Sequence, residues 1–176
     1  MQPIVLYDLE STVPGLCWSP NTARIRFALS YKGLPFTTVW VAYTDIETKL
    51  KAMNAKPTGL KSDGSDLYTL PAIDDPNTGT FMCDSLPIAI YLDKTYPTTP
   101  RFFPEHTNAL TEIFSTNFYA TIWPILPCMC ARVSKLLDPQ NTEFFSKERE
   151  AAFGIKWKDF DPADKYDENW SKFREA

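Results

Sequence analysis

Two short segments set a polar side chain at the head of a helix, and each offers an anion a place to bind. In Ser19-Pro20-Asn21-Thr22 the serine stands as N-cap and the proline takes the first helical position. In Asp84-Ser85-Leu86-Pro87 a second helix opens behind a carboxylate and a hydroxyl. The first turn of a helix carries unpaired N–H groups and a partial positive charge, and together they stabilise a nearby anion. Plain capping is the other role open to these residues, and capping and binding can coexist. Other chemistry has little to work with. The four cysteines (Cys17, Cys83, Cys128 and Cys130) show neither Cys-x-x-Cys spacing nor the pattern of a disulfide framework. With one histidine, His106, a zinc site is not expected. Neither His106 nor the Cys128/Cys130 pair is given a functional role.

The elements that must hold these residues are punctuated by prolines, 15 in 176 residues, against an ordinary usage of about 5%. Ile4-Val5-Leu6-Tyr7 predicts a strand, followed by a loop from Asp8 to Trp18. A helix from Pro20 buries Ile25, Ala28 and Leu29 and stops at Gly33. Phe36 to Tyr43 is rich in β-branched and aromatic residues and predicts a second strand. A short helix from Glu47 to Met53 leads into a polar loop. A strand entered through Pro71 then turns at Asp74–Gly79 and returns as Thr80–Cys83, which is a hairpin. Ser85 to Tyr96 forms a helix with two apolar sides, Leu86/Ala89/Ile90 and Ile88/Tyr91/Leu92. Residues 97–104 read as a proline-rich connector, and everything beyond them as helix: Leu110, Ile113, Phe114 and Phe118 at helical spacing, a break at Pro124 and Pro127, a helix opened by Asn141-Thr142, and a last one with Tyr166, Trp170 and Phe173 on one face. That last helix runs into Ala176 with no stop signal.

A net charge of −4 with no run of like charge argues against nucleic acid as a partner. No apolar stretch approaches the ~20 residues that span a bilayer, and no signal peptide is evident, so the expected setting is a reducing cytoplasm with no membrane partner.

The order β-α-β, α, a proline-entered hairpin and a closing helix is that of a thioredoxin-like domain. With an all-helical region behind it, the chain resembles the cytosolic glutathione transferases. The resemblance implies an α/β thioredoxin-like N-terminal domain (1–97), a linker (98–104) and an all-α C-terminal domain (105–176), shorter than is usual and apparently truncated. Three features carry it: the segment Ser19 to Arg26, similar to the active-site turn of serine- and cysteine-type members; Leu70-Pro71, where the fold holds a cis-proline; and Asp84-Ser85, similar to the acidic-Ser pair that grips the γ-glutamyl end of glutathione. Within the family, the turn with YTLPAI and DSLPIAIYLD most resembles a fungal group related to bacterial β-etherases.

What the resemblance implies for chemistry is specific. Ser19 would donate a hydrogen bond to the glutathione sulfur and stabilise its thiolate, with Asn21 as a second donor. Leu70, held by cis-Pro71, would pair its backbone with the cysteinyl part, while Asp84 and Ser85 meet the γ-glutamyl end. Lys56, ahead of Lys61, would meet the glycyl carboxylate. Glutaredoxin-type exchange uses Cys-Pro-x-Cys at this turn; here Ser19 and Thr22 stand at the sulfur positions, and a hydroxyl cannot form a mixed disulfide. Cys17 reads as a loop-packing residue. Tyr119 and Trp123, with Ile122 and Met129, would line a pocket for an apolar aromatic co-substrate between the Asp8–Trp18 loop and the first helix of the second region. The expected activity is a glutathione transferase of detoxifying type, attacking aromatic electrophiles or aryl ethers as a homodimer. A non-catalytic carrier of glutathione and aromatic ligands, or a scaffold of the same fold, is the alternative. As a dimer, the Ile88/Tyr91/Leu92 side of the Ser85–Tyr96 helix would pack on the helical region or the partner.

Overall fold

The computed structural model describes residues 1–104, 106–162 and 166–175. The chain divides into two compact units, Met1–Phe103 and Pro104–Ala176. In the first, the order is β1 (Ile4–Leu9), α1 (Pro20–Tyr31), β2 (Phe36–Val41), α2 (Ile46–Ala52), β3 (Gly59–Leu60), β4 (Asp66–Leu67), β5 (Ala72–Asp75), β6 (Thr80–Cys83) and α3 (Ser85–Thr95). Four strands form one sheet in the order β2-β1-β5-β6. β1 runs parallel to β2, and the crossover that a parallel pair requires is supplied by α1. β5 is antiparallel to both β1 and β6.

Both faces of the sheet are covered, which is why β1 reads as a nearly continuous apolar run. Ile4, Leu6 and Ile73 join Ile25, Leu29, Ile88 and Leu92 in one core, between the sheet, α1 and α3. Tyr7, Leu9, Ala72 and Val41 join Ile46, Leu50 and Leu70 in a second core on the opposite face, against α2. The alternation along β1 and β5 is the period of two that a strand imposes. This placement corrects one expectation. The Ile88/Leu92 side of α3 is the side that packs on its own sheet and α1, because residues four apart stack on one helical face. Tyr91 follows it down, its hydroxyl donating to Asp75.

The sequence expectation of a bare polar loop after α2 is replaced by a small hairpin, β3 with β4, tied at its base by the Thr58 N–H to the Leu67 carbonyl at 2.8 Å. Lys61 fastens it to Glu47 of α2 at 2.8 Å. Asp75, fully buried at the end of β5, gathers Tyr96 at 2.5 Å, Tyr91 at 2.6 Å and Asn77 at 3.0 Å. Burial acts to raise its pKa, but these donors together outweigh it and hold the carboxyl below its usual range. The connector after α3 is not free. Asp93 accepts the N–H groups of Phe102 and Phe103, each at 3.0 Å, and pairs with the buried Lys32 at 2.7 Å. Lys32 in turn donates to the Pro100 carbonyl at 2.9 Å and lies over the Phe102 ring.

The second unit is helical: α4 (Asn108–Ile122), a 3-10 turn at Trp123–Ile125 holding Pro124, α5 (Leu126–Val133) with Pro127 in its first turn, α6 (Pro139–Phe153) and α7 (Tyr166–Glu175). α6 starts earlier than expected, because Asp138 caps it by accepting the Asn141 N–H. Leu110, Ile113, Phe114 and Phe118 share a face that is exposed, with the two phenylalanine rings stacked at 6.2 Å. Of the expected α7 face, Trp170 and Phe173 meet at 5.6 Å, while Ala176 and the Tyr166 side chain lie outside the described residues. Among the described residues no helix is long and apolar enough to cross a membrane.

The Lys32–Asp93 clamp generates a stability prediction. Asp93→Ala strands a buried ammonium and two N–H groups and should cost about 3–5 kcal/mol in urea unfolding at neutral pH. Burial opposes ionisation of Asp93, but Lys32 and the two N–H groups overcome it and leave the folded pKa depressed. That stability is present above the unfolded carboxyl pKa of about 3.9 and is lost as pH falls through the lower folded value. The wild-type urea midpoint should therefore drop below about pH 4, and Asp93→Ala should flatten the drop.

Candidate functional site

Strand directions decide which chain ends meet. The C-terminal ends of β1, β2 and β6 and the N-terminal end of β5 all lie at one end of the sheet, since β5 runs opposite to its neighbours. α1 follows the loop after β1 and α3 follows β6 directly, so both helix N-termini are delivered to that end. Ser19, Leu70-Pro71 and Asp84-Ser85 are thereby brought together from three separate stretches of sequence.

Ser19 occupies the N-cap position of α1 with extended backbone (φ −80°, ψ 124°), yet its side chain makes no capping hydrogen bond. Its carbonyl is the group the helix uses, accepting the Ala23 N–H at 2.9 Å and the Thr22 hydroxyl at 3.1 Å. The residue is 5% exposed. The hydroxyl is thus held at the electropositive end of α1 without capping duty. Asn21, within the first turn, is exposed. Trp18 fixes the approach to the turn, its ring N–H donating to the Glu10 carbonyl at 2.9 Å while the residue packs in the same core as Leu70.

Cys17, beside this turn, lies 3.5 Å from the Thr22 hydroxyl. Burial pushes its thiol pKa up and the Asp8 carboxylate adds to the rise, so it stays protonated at neutral pH. This agrees with the packing role.

The Leu70–Pro71 bond is cis. Leu70 is buried, and among the described residues neither its N–H nor its C=O finds a hydrogen-bond partner. The Pro71 carbonyl accepts the Asp84 N–H at 3.1 Å, and the pairing of Ala72 with Cys83 continues that contact into the sheet. Asp84 is exposed and sits at φ +77°, ψ 131°, a conformation that L-residues avoid, and its side chain does not cap α3. Ser85 is the first residue of the helix.

A groove of about 460 Å³ runs between the 54–58 loop and the end of β6, lined by Lys56, Pro57, Phe81, Cys83, Asp84 and Pro87. An exposed ammonium and an exposed carboxylate share it. Lys61 is engaged by Glu47, whereas among the described residues Lys56 has no ion-pair partner. Burial, then the Asp84 charge, pushes the Cys83 thiol to about 11, so it serves as wall and not as nucleophile. Phe81 and Cys83 carry no motif, Pro87 is read only as part of the α3 opening, and their place in the groove escaped the sequence reading. In the second unit, Tyr119 is half-buried against Phe118 at 6.3 Å, and Trp123 is 53% exposed with its ring 4.8 Å from Phe153.

Comparison with known proteins fits this geometry. Residues 18–95 match the glutathione S-transferase N-terminal domain family, and residues 109–176 the glutathione S-transferase C-terminal domain family. The chain is 34% identical over 161 residues to a glutathione S-transferase-like protein, ustS, of Aspergillus flavus, covering 86% of this chain and 57% of that protein. It therefore spans little more than half the length of that relative. The crystal structure of the glutathione transferase GSTFuA3 of Phanerochaete chrysosporium superposes with a TM-score of 0.91 at 40% identity, over 99% of this chain and 69% of that one. A glutathione S-transferase of Ceriporiopsis subvermispora, solved in complex with glutathione, gives 0.93 at 36% identity, over 99% of this chain and 72% of that one.

The backbone at Asp84 generates a test of its own. Asp84→Gly removes the strain of a positive φ, and it should raise stability by about 1 kcal/mol in urea unfolding, net of glycine's greater freedom in the unfolded chain.

Proposed function

Because this chain belongs to the glutathione S-transferase family, we propose that it binds glutathione at the shared end of its sheet and activates the thiol for attack on an apolar electrophile. Bound there, glutathione supplies a sulfur that is nucleophilic only when ionised. Ser19 donates a hydrogen bond to that sulfur. One charge-assisted bond of this kind contributes roughly 1.5–3 kcal/mol, which lowers a thiol pKa by about one to two units. The N-terminus of α1 adds its partial positive charge, and Asn21 is the second donor there. Serine is too weak a base at neutral pH to take the proton, so its work is to hold the anion. Leu70 offers its unpaired N–H and C=O to the cysteinyl segment as one more strand would. Asp84 meets the γ-glutamyl ammonium, Ser85 and the head of α3 meet the adjoining carboxylate, and Lys56 meets the glycyl carboxylate.

The observation that carries this reading is Ser19: a hydroxyl at a helix head that makes no capping bond. The second substrate is an aromatic or otherwise apolar electrophile, aryl ethers included, with Tyr119 and Trp123 as its contacts. A homodimer, a cytoplasmic setting and a detoxifying role, as in a fungal member, complete the proposal. The burial of Ser19, at 5% exposure, favours one rival: a carrier that holds glutathione and aromatic ligands without catalysis.

Conjugation of a chlorodinitrobenzene-type or isothiocyanate substrate separates the two. Activity rises with pH as the thiol ionises, so Ser19→Ala should move the midpoint up by about one unit and lower kcat at neutral pH about tenfold or more, with glutathione affinity nearly kept. Lys56→Ala should weaken glutathione binding several-fold in calorimetry and leave that midpoint in place. Tight ligand binding with trace activity untouched by Ser19→Ala is the carrier's signature. A protein that binds no glutathione ends both readings.

A further inference from the structure

Two threonines outside the mechanism above join the walls of the groove. One wall is the 54–58 loop, which carries Lys56, and the other is the end of β6 with Asp84. Thr58 lines the groove, and its hydroxyl oxygen lies 2.9 Å from that of Thr69, 11 residues further along. The Thr58 hydroxyl also donates to the Leu67 carbonyl at 3.2 Å. A hydroxyl has one proton to give, so Thr69 is the donor in the Thr58–Thr69 pair. Thr69 is followed directly by Leu70 and Pro71, and the Pro71 carbonyl accepts the Asp84 N–H at 3.1 Å. A continuous path thus runs from Lys56 through Thr58, Thr69 and Leu70 to Asp84.

The β3–β4 hairpin closes without this pair. The Thr58 N–H bonds to the Leu67 carbonyl and the Lys61 N–H to the Ser65 carbonyl, each at 2.8 Å, and Thr69 stands outside the paired residues. The apolar parts of both walls, Ala55 on one side and Phe81 and Cys83 on the other, pack on one core. Apolar contact has no direction, so it holds the walls together without fixing how far along the groove the loop sits. A hydrogen bond is confined to a narrow range of distance and angle, and the threonine pair sets that register. Pro57, between Thr58 and Lys56, has a locked φ and restricts the residue before it. The loop therefore passes the position of Thr58 on to Lys56.

We propose that Thr58 and Thr69 are positioning residues for Lys56, setting the spacing between its ammonium and the Leu70 backbone. That spacing tunes the groove to a γ-glutamyl tripeptide over the γ-glutamyl dipeptide that lacks the glycine. The inference rests on the reading of Lys56 as partner of the glycyl carboxylate and of Leu70 as partner of the cysteinyl segment. Those two contacts are made to successive residues of one peptide, so both form only when their partners stand one residue apart. One residue of extended chain spans about 3.3–3.6 Å. An ammonium on a flexible four-carbon stem does not hold such a spacing unaided, and the threonine pair fixes the backbone from which it reaches. The dipeptide ends one residue short, so the pair has nothing to set for it.

Calorimetry of the whole chain with glutathione and with γ-glutamylcysteine tests this. Wild type should bind glutathione the more tightly. Thr69→Val keeps the shape and removes the hydrogen bond. It should weaken glutathione binding about three- to tenfold, the range of one neutral hydrogen bond, and leave γ-glutamylcysteine nearly unchanged. Thr69→Ser, which keeps the donor, should stay near wild type. Lys56→Ala should cost less affinity in the Thr69→Val background than alone, since the contact it removes is already loosened. A merely structural pair would weaken both thiols alike and leave the two substitutions additive. Circular dichroism controls for folding, and should Thr69→Val not fold, Thr58→Val breaks the same pair from the other side. Equal losses for the two thiols, no loss for glutathione, additivity, or a wild type without preference for glutathione each overturn the inference and leave the transferase reading intact. A wild-type protein that binds neither thiol overturns both.

Discussion

One strand running against its neighbours organises the candidate-site end of the first unit's sheet. With β5 antiparallel to β1 and β6, the exits of β1 and β6 and the entrance of β5 share an end of the sheet. Two helix heads and a cis-proline loop are therefore presented side by side. Reversing any one strand would send a member of that set to the opposite end. The two cores on either side of the sheet hold this arrangement in register, because a slip by one residue would exchange Ile4 and Leu6 for Val5 and Tyr7.

The cysteines at that end are held protonated. Burial raises the thiols of Cys17 and Cys83, and nearby carboxylates raise them further. No thiolate is available beside the turn from these residues. What the chain provides is polar groups not committed to its own structure: the Ser19 hydroxyl, the Leu70 amide and carbonyl, and the Lys56 ammonium. A polar group left without a partner costs stability unless a ligand or water meets it. The strained Asp84 belongs with them, since such backbone persists where surrounding structure over-determines it, here through its N–H to Pro71 and its carbonyl to Ile88.

Helix α1 was legible in the sequence from end to end, since Ser19-Pro20 and Gly33 act through local backbone chemistry that needs no partner. The β5–β6 hairpin was legible for the same reason, its turn being written in Pro76 to Gly79. Other features were not. The β3–β4 hairpin has two-residue strands, too short for periodicity to mark, and its anchors are Lys61 to Glu47 and Thr58 to Leu67. Asp138 took the cap of α6 from Asn141 because its side chain could reach the Asn141 N–H.

By itself the sequence determined the elements, the turn chemistry at Ser19 and the proline at position 71, because these depend on residues close together in the chain. Tertiary structure decided which way α3 faces, that residues 100–103 are clamped by Lys32 and Asp93, and that Asp8 of β1 pairs with Arg26 of α1. It also chose Lys56 over Lys61 for the groove, by giving Lys61 to Glu47. Each of those outcomes is a pairing between residues far apart in the chain or a choice of face. Such pairings are set by which surfaces pack against each other, and a string of residue types does not record that.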